Sequence, residues 1–102
     1  MNLERATKES LKKEITDQLA EFSEIHRVVI FGSFLNSDDP HDLDIAVFQD
    51  SDEGYYPLAM KYRKKLRSVA NKIPIDVIPI RRNPERGPFI KEIENGEVLY
   101  ER

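Results

Sequence analysis

Val28-Val29-Ile30-Phe31-Gly32-Ser33-Phe34-Leu35-Asn36-Ser37-Asp38-Asp39-Pro40-His41-Asp42-Leu43-Asp44 is the stretch on which the reading of this chain turns. It opens with four apolar residues, two of them valine, a run suited to a buried strand. Gly32-Ser33 follows at once. Glycine permits a tight turn and a close backbone approach to a ligand, and serine adds a hydroxyl beside the exposed N–H groups of such a turn. Asn36 to Pro40 is loop chemistry. Asp42-Leu43-Asp44 then runs into Ile45-Ala46-Val47-Phe48. Residues i and i+2 of a strand share a face, so Asp42 and Asp44 should point one way and Leu43 into the core. Side by side, two carboxylates repel and resist desolvation, and a divalent cation relieves both effects. The plainer alternative makes both of them turn residues, as Asp38 and Asp39 are read.

Outward from this stretch, the expected elements alternate. A helix is predicted from about Asn2 to Phe22, with Leu11, Ile15, Leu19 and Phe22 at three- and four-residue steps. The first strand is expected over Arg27 to Phe31 and the second over Leu43 to Gln49. A second helix carries Pro57 in its first turn and buries Leu58, Tyr62, Leu66 and Val69. Its basic run, Lys61, Arg63, Lys64, Lys65 and Arg67, reads as a solvated face, and Tyr55 and Tyr56 as packing residues. Ile73 to Ile80 is the third strand, where Pro79 marks an edge or an end. Pro88 to Glu94 is a third helix closed by Asn95-Gly96, and Glu97 to Tyr100 a last short strand. The fold class is α/β (α+β): a small mixed sheet, with helices mainly on one face, in a single domain over residues 1–102.

Asp76 interrupts Ile73-Pro74-Ile75-x-Val77-Ile78-Pro79-Ile80, a run otherwise suited to burial. A buried carboxylate needs a partner, either a metal or an arginine. Together with Gly32-Ser33 and Asp42-x-Asp44, Asp76 makes the chain resemble the DNA polymerase β-type nucleotidyltransferase superfamily, and its length suggests the minimal nucleotidyltransferases. The segment Phe89 to Glu101 is similar to the family's closing helix, glycine turn and strand. The resemblance implies a two-ion Mg²⁺ site with ATP as substrate. Asp42, Asp44 and Asp76 would be the catalytic and metal-binding residues, with Asp44 shared between ions and Asp76 taking the acceptor's proton. Gly32 and Ser33 would hold phosphate. It also implies transfer of AMP to a hydroxyl of a HEPN-type helical partner protein, in a toxin–antitoxin pair. Three departures stand against it: the spacer from Ser33 to Asp42 is short, it lacks the customary arginine, and His41 stands where serine is common. They favour an alternative, a catalytically weak binding module of the same fold that neutralises its partner by complex formation. A receiver-like phosphorylation domain ranks last, because it expects an acidic pair where Gly32-Ser33 stand.

Composition narrows the partners. The chain has 102 residues and 39% hydrophobic residues, enough for one modest core. It contains no cysteine, which removes disulfides and thiolate metal sites. Its 16 basic and 19 acidic residues give a net charge of −3, which argues against a broad nucleic-acid surface. No run approaches a membrane span, and the charged N-terminal stretch is unlike a signal peptide, so a cytoplasmic protein is expected. A homo-oligomer is left open.

Overall fold

The computed structural model describes residues 5–37, 39–81 and 88–102, with the side chains of residues 88 and 89 left aside. Helix α1 spans Arg5–Leu19 and buries Leu11, Ile15 and Leu19, the stripe its periodicity predicts. It ends earlier than expected, and Phe22 lies beyond it. The predicted start at Asn2 falls outside the described residues. Strand β1 is Ile25–Phe31, followed by the single turn α2, Ser33–Asn36. Strand β2 is Leu43–Gln49, as the sequence predicts. The predicted second helix forms as two pieces, α3 (Tyr55–Lys65) and α4 (Arg67–Ala70). Strand β3 is Ile75–Arg81, α5 is Pro88–Glu94 and β4 is Glu97–Glu101.

The four strands form one mixed sheet in the order β3-β2-β1-β4. Strand β1 runs antiparallel to both β2 and β4, whereas β2 and β3 are parallel. Parallel neighbours need a crossover, which α3 and α4 supply. Strand β3 lies at the sheet edge, so Pro79 sits within it without breaking an inner ladder.

Side-chain alternation gives the sheet two unequal faces. On one face Val28, Ile30, Ile45, Val47 and Val77 pack against α1, α2, α3 and α4, through Leu11, Ile15, Phe34, Tyr62 and Val69 among others. On the other, Val29, Phe31, Ala46, Phe48 and Ile80 meet Ile93 of α5, with Ile78 and Ile90 at the margin. Helices therefore lie mainly on one face. The turn after α5 needs Gly96 for a reason other than a left-handed conformation. A Cβ there would run into the Ile30 carbonyl and lie 2.9 Å from Val29 Cγ1, so only glycine lets the turn lie against β1.

A polar knot ties α3 to the loop after α1. Tyr62 is fully buried, yet its hydroxyl donates to Glu24 Oε2 at 2.9 Å. Lys61 Nζ lies 2.8 Å from the same carboxylate and 3.1 Å from Glu53. Burial pushes the Glu24 carboxyl up, but the hydrogen bonds from Lys61 and Tyr62 outweigh it and hold the group below its ordinary value. Burial first, then the Glu24 carboxylate, raises the Tyr62 phenol.

Candidate active site

Three segments far apart in sequence meet at one end of the sheet. The β1–β2 register sets Phe31 opposite Asp44, and the β2–β3 register sets Asp44 opposite Asp76. Asp44 is thus flanked by the end of β1 on one side and by Asp76 on the other. Leu43, which precedes it, is fully buried on the helical face, so Asp44 faces the opposite way, as the alternation of side chains along a strand requires. Asp42 lies one residue before β2 and is exposed.

The turn after β1 is shaped around Asp44. Gly32 adopts φ +83°, the left-handed region that glycine tolerates best. A Cβ on Gly32 would lie 2.5 Å from Asp44 Oδ2, so the missing side chain makes room for the carboxylate. Ser33 follows as the first, exposed residue of α2. The turn closes on itself, with the Leu35 N–H donating to the Gly32 carbonyl at 3.2 Å. The far end of α2 is fixed by Lys8 of α1. Lys8 Nζ donates to the Phe34 carbonyl at 2.7 Å and the Ser37 carbonyl at 2.6 Å, and lies 5.3 Å from the Phe34 ring centroid. A cation at a helix C-terminus is electrostatically favourable.

Electrostatics single out Asp44. Burial, then the neighbouring Asp42, Asp76 and Glu92 carboxylates, push its carboxyl from 3.8 up to about 6. Glu92 is a residue the sequence reading missed. It reaches this end of the sheet only because α5 folds back over the open face, and nothing in its local sequence announces that. Lys8 was missed for the same reason: its target lies 26 residues on.

The structure corrects one premise about Asp76. The surrounding apolar run suggested a buried carboxylate in need of a partner, but Asp76 is exposed. Edge strand β3 leaves that position in solvent, so burial imposes no demand for either a metal or an arginine. Tyr55 and Tyr56 are likewise 56% and 75% exposed and do not pack in the core. His41 is exposed.

The donor set at this end is all carboxylate, which suits a hard divalent cation rather than a soft one. Among the described residues, no three His, Asp or Glu side chains converge into a complete ligand set. Mg²⁺ characteristically takes one or two carboxylates and completes its shell with phosphate and water. The unfavourable charge on Asp44, raised by its carboxylate neighbours, fits such an ion.

The sequence from residue 13 to residue 102 matches the family described as Polymerase beta, Nucleotidyltransferase. The chain belongs to this polymerase β nucleotidyltransferase family. The match takes in every strand and all of the candidate site. Two solved structures share the nucleotidyltransferase fold. One is a crystal structure of the toxin–antitoxin MntA-HepT, with a TM-score of 0.65 and 18% identity over 92% of this chain and 73% of that one. The other is a toxin–antitoxin crystal structure with AMP-PNP, with a TM-score of 0.68 and 19% identity over 89% and 73%. No curated protein matches the chain. Among the described residues, no helix is long and apolar enough to cross a membrane.

Proposed function

We propose that this nucleotidyltransferase-family chain moves AMP from ATP, with Mg²⁺, to a hydroxyl of a partner protein, and acts as the antitoxin of a HEPN-type toxin. The observation that carries the proposal is the meeting of Asp44 with Asp76 across parallel strands while Gly32 gives way to the Asp44 carboxylate. Asp42 and Asp44 are the residues that would hold metal, with Asp76 on the acceptor side. Bound there, Mg²⁺ would offset the charge of the triphosphate and of the acceptor oxygen. Gly32 and Ser33 hold phosphate through backbone N–H groups and the Ser33 hydroxyl. Asp76, exposed at the sheet edge, takes the acceptor's proton. The acceptor oxygen bonds to the α-phosphorus, the α–β anhydride bond breaks, and pyrophosphate leaves with the electron pair. A phenol is the favoured acceptor, because its pKa near 10 lies within reach of a base assisted by a cation. The toxin–antitoxin context of the two structural neighbours supports a protein acceptor, and the AMP-PNP of one supports an adenine nucleotide.

The test is intact-mass spectrometry of the partner after incubation with ATP and Mg²⁺. An added AMP with wild type, absent with Asp42→Asn/Asp44→Asn protein, is the expected result. A tight complex without mass change under varied nucleotide and metal would favour the second reading, a binding module. The short loop from Ser33 to Asp42, without the customary arginine, is the observation that favours that reading.

A further inference from the structure

Helices α3 and α4 carry a surface that the chemistry above does not use. Tyr56, Met60, Arg63, Lys64 and Arg67 recur at three- and four-residue steps, so they share a stripe. The stripe survives the junction between the two helices, because the Leu66 N–H still donates to the Tyr62 carbonyl at 3.0 Å. Tyr56 and Met60 are 75% and 53% exposed, two of the few large apolar side chains facing solvent. Beside them runs an open groove of about 470 Å³, with Pro57, Met60 and Ala70 as apolar lining, Arg63, Lys64 and Arg67 as charged lining, and the ion-paired Lys61 also against it.

The charges on these helices are sorted. On the side facing α1 and its loop, Lys61 pairs with Glu24 and Glu53, and Lys65 with Glu21. Arg63, Lys64 and Arg67 are exposed and have no ion-pair partner among the described residues. A protein of net charge −3 thus concentrates on one apolar strip three cations that have no ion-pair partner among the described residues.

From this we infer that the α3–α4 groove docks an acidic amphipathic helix of a partner protein, its apolar side on Met60 and Pro57 and its carboxylates against Arg63, Lys64 and Arg67. Charge complementarity selects the acidic face, and the apolar lining selects a protein side chain over a phosphate backbone. From Tyr56 to Arg67 the stripe covers roughly three helical turns, a common footprint for helix-in-groove recognition. Nucleic acid would call for a broader cationic surface than this acidic chain offers. The groove lies on the helical side of the sheet and Asp44 on the other, so docking and chemistry occupy separate surfaces. The inference holds whether or not the chain transfers AMP.

The test is an amide NMR titration of the full chain with a synthetic amphipathic helical peptide bearing a leucine stripe and glutamate flanks. Controls are the same peptide with lysine flanks, a scrambled acidic peptide, and a uridine oligonucleotide. The acidic peptide should shift amides around Met60, Arg63, Lys64 and Arg67. It should bind about tenfold more tightly than the lysine version at low salt and lose that preference as salt rises. Arg63→Glu/Lys64→Glu/Arg67→Glu should abolish binding, while the unfolding temperature and the Asp44 end of the spectrum stay unchanged. Equal binding of the scrambled peptide, shifts centred elsewhere, or no binding would overturn the inference. Preference for the oligonucleotide would overturn it in favour of a phosphate surface, and self-association through this stripe in sedimentation would do so in favour of a second copy.

Discussion

The two faces of the sheet differ in what covers them. One is sealed by four helices and closes over fully buried Leu11, Ile15, Ile45, Leu58 and Tyr62. The other meets, among the described residues, Ile93 of α5, and its residues grade from buried Phe31 to half-exposed Asp44 and exposed Asp76. The difference teaches a division of labour within each strand. Alternate residues of β2 serve opposite ends: Leu43, Ile45 and Val47 provide cohesion, while Asp44 is held at a thinly covered margin where a phosphate could approach.

The largest effect expected from breaking this asymmetry lies in the sealed face. Ile45→Ala should cost about 3–4 kcal/mol in urea unfolding, since it opens a cavity among helices that cannot all collapse into it. Ile90→Ala on the open face should cost about 1 kcal/mol, because that side chain is only partly buried. Equal losses would erase the contrast.

Next comes the turn that serves the open face. Gly32→Ala places a side chain at φ +83° and against Asp44 Oδ2. A loss of about 2 kcal/mol is expected, together with loss of Mg²⁺-dependent ATP binding in calorimetry. Unimpaired nucleotide binding would detach Gly32 from the site.

Asp44 itself offers a pH test. Its carboxyl is raised from 3.8 to about 6, so the folded state holds a proton that the unfolded chain releases. The stability associated with that proton is complete below about pH 4 and lost as pH rises through about 6. Asp44→Asn should therefore stabilise the metal-free protein at pH 7.5 by about 1 kcal/mol, a value discounted for solvent screening. The gain should shrink toward pH 4. Asp76→Asn, in solvent, should change stability by less than about 0.5 kcal/mol. A gain independent of pH would place the effect in packing rather than in charge.

The smallest effect concerns the anchor of α2. Lys8→Met should cost about 0.5–1 kcal/mol and speed amide exchange at Leu35 and Ser37, with Lys8→Arg largely restoring both. Unchanged exchange would mean that α2 holds without it.

Much of this was legible in the chain, for identifiable reasons. The strand limits of β2 were set by a carboxylate at one end and Asp50-Ser51-Asp52 at the other, and the structure follows them. Leu11, Ile15 and Leu19 fixed the buried face of α1 by spacing alone. The family was readable from Gly32-Ser33, Asp42-x-Asp44 and Asp76 because those positions sit at ends of recognisable strands. What stayed hidden depends on tertiary placement. The exposure of Asp76 follows from β3 being an edge, and its apolar neighbours gave the opposite impression. Glu92 and Lys8 act across long sequence separations, and Tyr55 and Tyr56 stand at the start of a helix whose first turn projects past the core. Asn95-Gly96 closes α5, as the sequence predicts, but the reason for a glycine there was not legible. Its role is to let the turn touch β1, a contact that no local rule encodes.

The pairing of Phe31, Asp44 and Asp76 in one row has a consequence for fidelity. Side chains alternate with a period of two, so a slip of β2 by a single residue would turn Asp44 into the helical core and bring a leucine or isoleucine to the margin. Such a molecule would bury an unpaired charge and also lose its acidic cluster. Misaligned chains would thereby be unstable, and the carboxylate proposed for the chemistry would also act as a checkpoint on strand alignment.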